Sequence, residues 1–182
     1  MSILTLPKVI ILDRDGTLVP KLHYLVHPDQ LELIPYVGKS LQSIQKLGIK
    51  FVIATNQSVI ERGIISEFEL QCIHDKLLHL LQFFNVSIEK IFFCPHKPNS
   101  KCECRKPRAG MGWKILKYFN CNPEDIWVIG DQESDMQFAK NISAFGVLLT
   151  ENNLKNYDSL ADVNFSNWFE IEDFIVRLSN EL

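Results

Sequence analysis

Five short apolar runs recur along the chain, at Val9–Leu12, Phe51–Ala54, Ile91–Phe93, Ile126–Ile129 and Phe145–Leu149. They are continuous rather than alternating, the pattern of strands buried on both faces. Between them, apolar residues recur at helical spacing. Leu41, Ile44 and Leu47 predict a helix over Val37–Leu47 that Gly48 stops. Ser66 and Glu69 form a capping box ahead of Leu70, Ile73, Leu77, Leu80 and Leu81. Further helices are predicted over Met111–Phe119, Ser134–Lys140 and Phe169–Leu178. Strand alternating with helix predicts an α/β fold, a Rossmann-like parallel sheet with helices on both faces.

In such sheets ligands bind beyond the carboxyl ends of the strands. The segments that follow the strands are Asp13-Arg14-Asp15-Gly16-Thr17, Thr55-Asn56-Gln57-Ser58, Cys94-Pro95-His96 and Gly130-Asp131, and all are polar. Period-two alternation aims the Asp13 and Asp15 carboxylates the same way, so they repel unless a cation neutralises them. Oxygen ligands beside a phosphate favour Mg²⁺. Alone, the motif also fits an Asx-rich turn. Thr55 and Asn56 suit phosphate oxygens, Arg105 and Lys106 put two cations in a loop, and Asp131 adds a third carboxylate. Glu133 and Asp135 follow it, and Asp135 also reads as an ordinary acidic residue in a helix's first turn.

The ordered set Asp13-Arg14-Asp15-Gly16-Thr17, Thr55-Asn56-Gln57, Lys106-Pro107 and Gly130-Asp131 resembles the four motifs of the haloacid dehalogenase superfamily of phosphatases. The resemblance covers about Val9 to Leu149 and implies a single, capless hydrolase domain over residues 1–182. It implies that Asp13 is a nucleophile forming an aspartyl-phosphate, and that Asp15 is first general acid and then base. Thr55 and Lys106 would hold the phosphoryl group. Asp13, the Asp15 carbonyl and Asp131 would bind Mg²⁺.

Cys94, His96, Cys102 and Cys104 read C-x-H-x5-C-x-C, a closed tetrahedral set for a structural Zn²⁺, against a chance crowding of loop cysteines. Such a zinc-binding loop would pin Arg105 and Lys106 against the substrate. Cys72 and Cys121 read as ordinary thiols. The zinc loop resembles two branches of the superfamily, the heptose 1,7-bisphosphate phosphatases and the histidinol-phosphate phosphatases. The segments Gln57-Ser58 with Glu61-Arg62-Gly63, Tyr24 to His27, and Leu33-Ile34-Pro35 resemble the heptose branch, which places Tyr24, Asn56, Gln57, Ser58 and Arg105 at the substrate. Val59 and Gln132 depart from that branch, which has glycine and a cation there.

Composition narrows the partners. The chain has 182 residues, 46% hydrophobic and 23% charged, with a net charge of −3 and no basic run. That argues against a nucleic-acid 3′-phosphatase, although such enzymes share the first motif. The expected partner is a small phosphorylated metabolite rather than nucleic acid or membrane, for a cytoplasmic monomer. A sugar bisphosphate is expected because Arg105 beside Lys106 could hold a second phosphate. Histidinol phosphate is the alternative within enzymes, and a catalytically inactive, zinc-stabilised binding protein is the alternative outside them.

Overall fold

The computed structural model describes residues 4–150 and 158–181. A six-stranded parallel sheet runs in the order β3-β2-β1-β4-β5-β6. Its strands are β1 (Val9–Leu12), β2 (Lys50–Asn56), β3 (Ile88–Cys94), β4 (Ile126–Gly130), β5 (Phe145–Leu149) and β6 (Val163–Phe165). The helices are α1 (Val37–Gln45), α2 (Glu67–Gln82), α3 (Gly110–Phe119), α4 (Glu133–Asn141) and α5 (Trp168–Glu181).

Alternation along the strands sorts the core into two layers. Ile10, Leu12, Phe51, Ile53, Trp127 and Ile129 face α1, α2 and α5 through residues such as Leu41, Ile73 and Ile171. Val9, Ile11, Val52, Ala54, Ile126 and Val128 face α3 and α4 through Met111, Ile115 and Phe138. Both faces of the central strands are therefore apolar, which is why their sequences read as unbroken hydrophobic runs. β3 departs from that expectation. It lies at the edge, runs three residues further back than the apolar core predicts, and leaves Glu89 and Lys90 exposed. β6 is the other edge and was not legible, because three residues carry no period.

The helix signals hold. Ser66 N donates to Glu69 Oε2 at 2.7 Å and Glu69 N to Ser66 Oγ at 3.2 Å, closing the predicted capping box. α1 ends at Gln45, and the chain turns through Gly48 at φ +85°. The sheet order reverses between β1 and β4, which pair Leu12 with Ile129. Crossovers leave these two strands in opposite directions and open a crevice at their carboxyl ends. Among the described residues no separate cap domain stands there. Loops at 14–36, 57–66 and 95–109 rim the edge instead, and among the described residues no helix is long and apolar enough to cross a membrane.

His74 of α2 is 2% exposed and packs edge-on against Phe93, its ring Nε2 without a hydrogen-bond partner among the described residues. Burial, and then the nearby Arg14 charge, lower its pKa from 6.5 to about 4. Between those values the unfolded chain binds more protons than the folded one. Stability from this group is therefore full above pH 6.5 and is lost as pH falls toward 4. The loss amounts to about 3 kcal/mol. Urea titrations across that range should show His74→Leu losing less stability on acidification than wild type; identical pH slopes would show that His74 is not buried neutral.

Candidate active site

The residue after β1 is Asp13, and the residue after the neighbouring β4 is Asp131. Gly16 lets the chain after β1 pass directly against Asp131. Its φ is +91°, and a Cβ there would lie 2.4 Å from Asp131 Oδ2, so a side chain is excluded on both counts. The carboxylates of Asp13, Asp131 and Asp135 come within 4.8 Å of one another, all of them buried. Lys106 Nζ reaches into this group at 2.6 Å from Asp13 Oδ1 and 2.6 Å from Asp135 Oδ1. Asp135 therefore does more than cap α4. Its Oδ2 accepts from Gln132 N at 3.1 Å in the capping role, while Oδ1 holds the lysine. Sequence reading assigned it only the first role, since nothing local distinguishes a capping aspartate from one that also meets a distant cation.

Burial pushes the Asp13 carboxyl up to about 7, against the opposing pull of Lys106. The same two aspartates hold the Lys106 ammonium well above the usual lysine range. One ammonium thus faces two carboxylates, with Asp131 beside them. Hard oxygen donors crowded into a buried and still anionic space fit a small divalent cation such as Mg²⁺. Asp13 and Asp131 would hold it with the Asp15 carbonyl.

Lys106 is aimed by its backbone. Asn56 Nδ2 donates to the Lys106 carbonyl and Lys106 N donates to Asn56 Oδ1, both at 3.0 Å. The Asn56 amide, expected at the substrate, thus imitates a ladder partner for the cationic loop. Gln57 is 3% exposed and donates to Asp15 Oδ2 at 2.9 Å and to Thr55 Oγ1 at 2.8 Å. Arg14, 1% exposed, forks onto Asp15 through Nε at 3.0 Å and Nη2 at 2.8 Å.

These groups border a cavity of about 320 Å³ lined also by Lys21, His23, Tyr24, Ser58, Arg105 and Gln132. Tyr24, Thr55, Asn56, Gln57, Ser58, Arg105 and Lys106 are thus brought together with Asp13 and Asp15, as the motif order implies. Asp131 stands just outside, in an adjoining hollow with Gly16 and Trp168. Gln132 turns back, its Nε2 donating to the Asp131 carboxylate and, at 3.0 Å, to the Asp131 carbonyl. Lys21 Nζ lies 3.6 Å from Asp131 Oδ2, a cation that the strand-end pattern could not reveal because it sits in an irregular loop. Val59 is buried against the core, and Ile64 N donates to its carbonyl at 3.0 Å, so the loop turns without a glycine at that position. Gly63 carries the positive φ instead. Thr17 lies wholly buried, and its carbonyl accepts the Trp168 indole N–H at 2.7 Å.

Cys94, His96, Cys102 and Cys104 converge, with Cys94 Sγ 3.7 Å from Cys102 Sγ and 3.2 Å from Cys104 Sγ. His96 Nδ1 lies 3.3 Å from Cys104 Sγ. The sulfurs are too far apart for disulfides, and all four ligand atoms fall within 4.8 Å, a group that could hold a metal ion. Arg105 Nη1 donates to the His96 carbonyl at 2.9 Å, and Glu61 accepts from Lys97 N and from Ser100 Oγ at 2.7 Å. The loop after β2 therefore clasps the cysteine loop from outside.

Residues 8–174 match the family described as polynucleotide kinase 3 phosphatase. The chain belongs to this family of haloacid dehalogenase-like phosphatase domains. It is 36% identical over 140 residues to D-glycero-beta-D-manno-heptose-1,7-bisphosphate 7-phosphatase of Haemophilus ducreyi, covering 73% of this chain and 77% of that one. It is 29% identical over 178 residues to the histidine biosynthesis bifunctional protein HisB of Blochmanniella floridana, covering 96% of this chain but 46% of that protein, so it spans about half of that relative's length. Among solved structures, it is similar to D,D-heptose 1,7-bisphosphate phosphatase from B. bronchiseptica, complexed with magnesium and phosphate. That match has a TM-score of 0.84 and 26% identity, covering 93% of this chain and 98% of the other.

Whether these carboxylates hold a metal can be tested without turnover. Mg²⁺ should raise the melting temperature, and by more as pH rises through about 7, because Asp13 must give up its proton to bind the cation. Asp131→Asn should lose most of that increment in differential scanning fluorimetry. An equal Mg²⁺ shift in wild type and Asp131→Asn would move the metal away from these carboxylates.

Proposed function

We propose that the protein is a Mg²⁺-dependent phosphatase that hydrolyses a phosphomonoester of a sugar bisphosphate, D-glycero-D-manno-heptose 1,7-bisphosphate at C7 being the first candidate. The observation that carries the reading is the buried row Asp13–Lys106–Asp135 at the wall of a cavity that Arg105 and Lys21 also line. A phosphoryl group needs positive charge around its equatorial oxygens and a nucleophile in line.

Asp13 attacks phosphorus while Lys106 holds its Oδ1. The bond from phosphorus to the sugar oxygen breaks, and Asp15 gives that oxygen its proton. Asp15, now ionised, takes a proton from water, and the resulting hydroxide attacks the aspartyl-phosphate to release phosphate and restore Asp13. Thr55 and Lys106 hold the transferred group throughout. When bound, Mg²⁺ neutralises phosphate and carboxylate charge. Zn²⁺ at Cys94, His96, Cys102 and Cys104 would be structural, fixing the loop that carries Arg105 and Lys106.

Arg105 supports a bisphosphate. Lys106 is committed to the transferred phosphoryl group, and a guanidinium at the cavity wall suits a second phosphate. The heptose relative and the heptose phosphatase structure favour the same substrate, while the match to the bifunctional histidine protein over nearly all of this chain keeps histidinol phosphate as the second reading. The net charge of −3 weighs against a polynucleotide substrate despite the family's description.

Asp13→Asn should abolish turnover, because an amide cannot form the acyl-phosphate. kcat/KM should be higher for the bisphosphate than for histidinol phosphate. Arg105→Ala should lower it for the bisphosphate about tenfold to a hundredfold, the weight of one charge-assisted contact, and much less for a monophosphate of the same leaving group. Faster turnover of histidinol phosphate would overturn the substrate and leave the phosphatase standing. Elemental analysis should find about one zinc per chain. Cys102→Ser should lower melting temperature and activity together, whereas a zinc-free protein with full activity would remove the structural role.

A further inference from the structure

We propose that Arg14 and Gln57 are positioning residues, which hold the Asp15 carboxylate in place for proton transfer and tie it to Thr55, the residue that grips the transferred phosphoryl group. This rests on Asp15 being the acid and base of the reaction proposed above.

The two oxygens of Asp15 receive three donors. Arg14 Nε donates to Oδ1 at 3.0 Å, Arg14 Nη2 to Oδ2 at 2.8 Å, and Gln57 Nε2 to Oδ2 at 2.9 Å. The two supports also hold each other, since Arg14 Nη2 donates to Gln57 Oε1 at 2.9 Å. Gln57 Nε2 continues to Thr55 Oγ1 at 2.8 Å. Both Gln57 amide atoms are thereby engaged inside the protein, so a task of aligning its neighbours fits it better than direct contact with substrate. The ring of contacts fixes the Asp15 side chain in both translation and rotation, which a single bond could not do.

Burial makes the arrangement obligatory. Arg14 is 1% exposed while the Asp15 side chain is 26% exposed, so the cation lies sealed beneath and the carboxylate opens toward the cavity. A sealed guanidinium needs its counter-charge in place. The anion it pairs with is Asp15. Among the described residues Arg14 Nη1 has no hydrogen-bond partner, while Nε and Nη2 are both turned onto Asp15. When Asp15 hands its proton to the leaving oxygen, the carboxylate left behind meets donors already in position. Lysine could supply the charge but not the two-pronged geometry.

The test uses the leaving group in the first chemical step, read as the single-turnover rate of leaving-group release, because the base step that follows is common to all substrates. A sugar alkoxide must be protonated as it departs, whereas p-nitrophenolate leaves without help, so loss of acid catalysis slows release of the first and not of the second. Arg14→Met and Gln57→Met should lower the single-turnover rate for the sugar bisphosphate about tenfold to a hundredfold, the cost of a misplaced catalytic group, with little change in substrate affinity. For p-nitrophenyl phosphate the loss in that rate should be much smaller, although kcat falls for both through the shared base step. Arg14→Lys should recover only part of the loss. Asp15→Asn should show the same leaving-group contrast in that single-turnover rate in stronger form. If Asp15→Asn shows the contrast while Arg14→Met and Gln57→Met slow release equally from both substrates, or do not slow it, the positioning role is wrong and the acid assignment stands. If Asp15→Asn itself slows release equally from both, the acid assignment fails and takes the positioning role with it. Gln57→Met removes no buried charge, so it keeps the test decisive should Arg14→Met fail to fold.

Discussion

The site depends on one buried ammonium. Lys106 lies between Asp13 and Asp135 at 2.6 Å from each, nearly sealed from solvent. An unpaired lysine there would carry a large desolvation penalty, and so would either aspartate alone. The three are tolerable only as a set, and the set can assemble only where three separated stretches of chain meet. β1 and β4 deliver Asp13 and Asp131 side by side because the sheet order reverses between them. α4 begins immediately after β4 and brings Asp135 round by one helical turn. Lys106 comes from a loop with no regular structure, so its placement has to be built by other means: the Asn56 clasp on its backbone, the four-ligand cysteine and histidine cluster before it, and the Glu61 contacts that fasten that cluster to the loop after β2.

Much of this was legible because the physics involved is local or periodic. Continuous apolar runs marked the strands buried on both faces, the Ser66–Glu69 box marked the start of α2, and the polar residues after each strand marked the reactive edge. What was not legible depends on contacts between remote residues. Asp135 read as a helix cap because its second oxygen meets Lys106, which comes from a different loop. Asn56 and Gln57 line the cavity as expected, but an amide's sequence position could not say that Asn56 also clasps the Lys106 backbone or that Gln57 also holds Asp15 and Thr55. The alternation rule aimed Asp13 and Asp15 alike, but it could not foresee that a buried Arg14 between them would take hold of the second. β3 was read as doubly buried because a hydrophobic run does not disclose that it lies at a sheet's edge.

The departures at Val59 and Gln132 have local explanations. Val59 packs into the core while Gly63 absorbs the positive φ, so the turn is moved rather than lost. Gln132 bends its amide onto Asp131, and Lys21 approaches the same carboxylate from the opposite loop. Positive charge is thus still present near that position, but it arrives on a flexible stem from another part of the chain.

The indole of Trp168 donates to the carbonyl of Thr17, across 151 positions of sequence, and Ser40 of α1 meets Glu172 of α5 at 2.9 Å. The loop that follows Asp13 is synthesised before the helix that braces it. During vectorial synthesis the early loop must therefore wait, with one of its carbonyls lacking its native donor, until α5 emerges. A nascent chain cannot brace the Thr17 loop before α5 has left the ribosome.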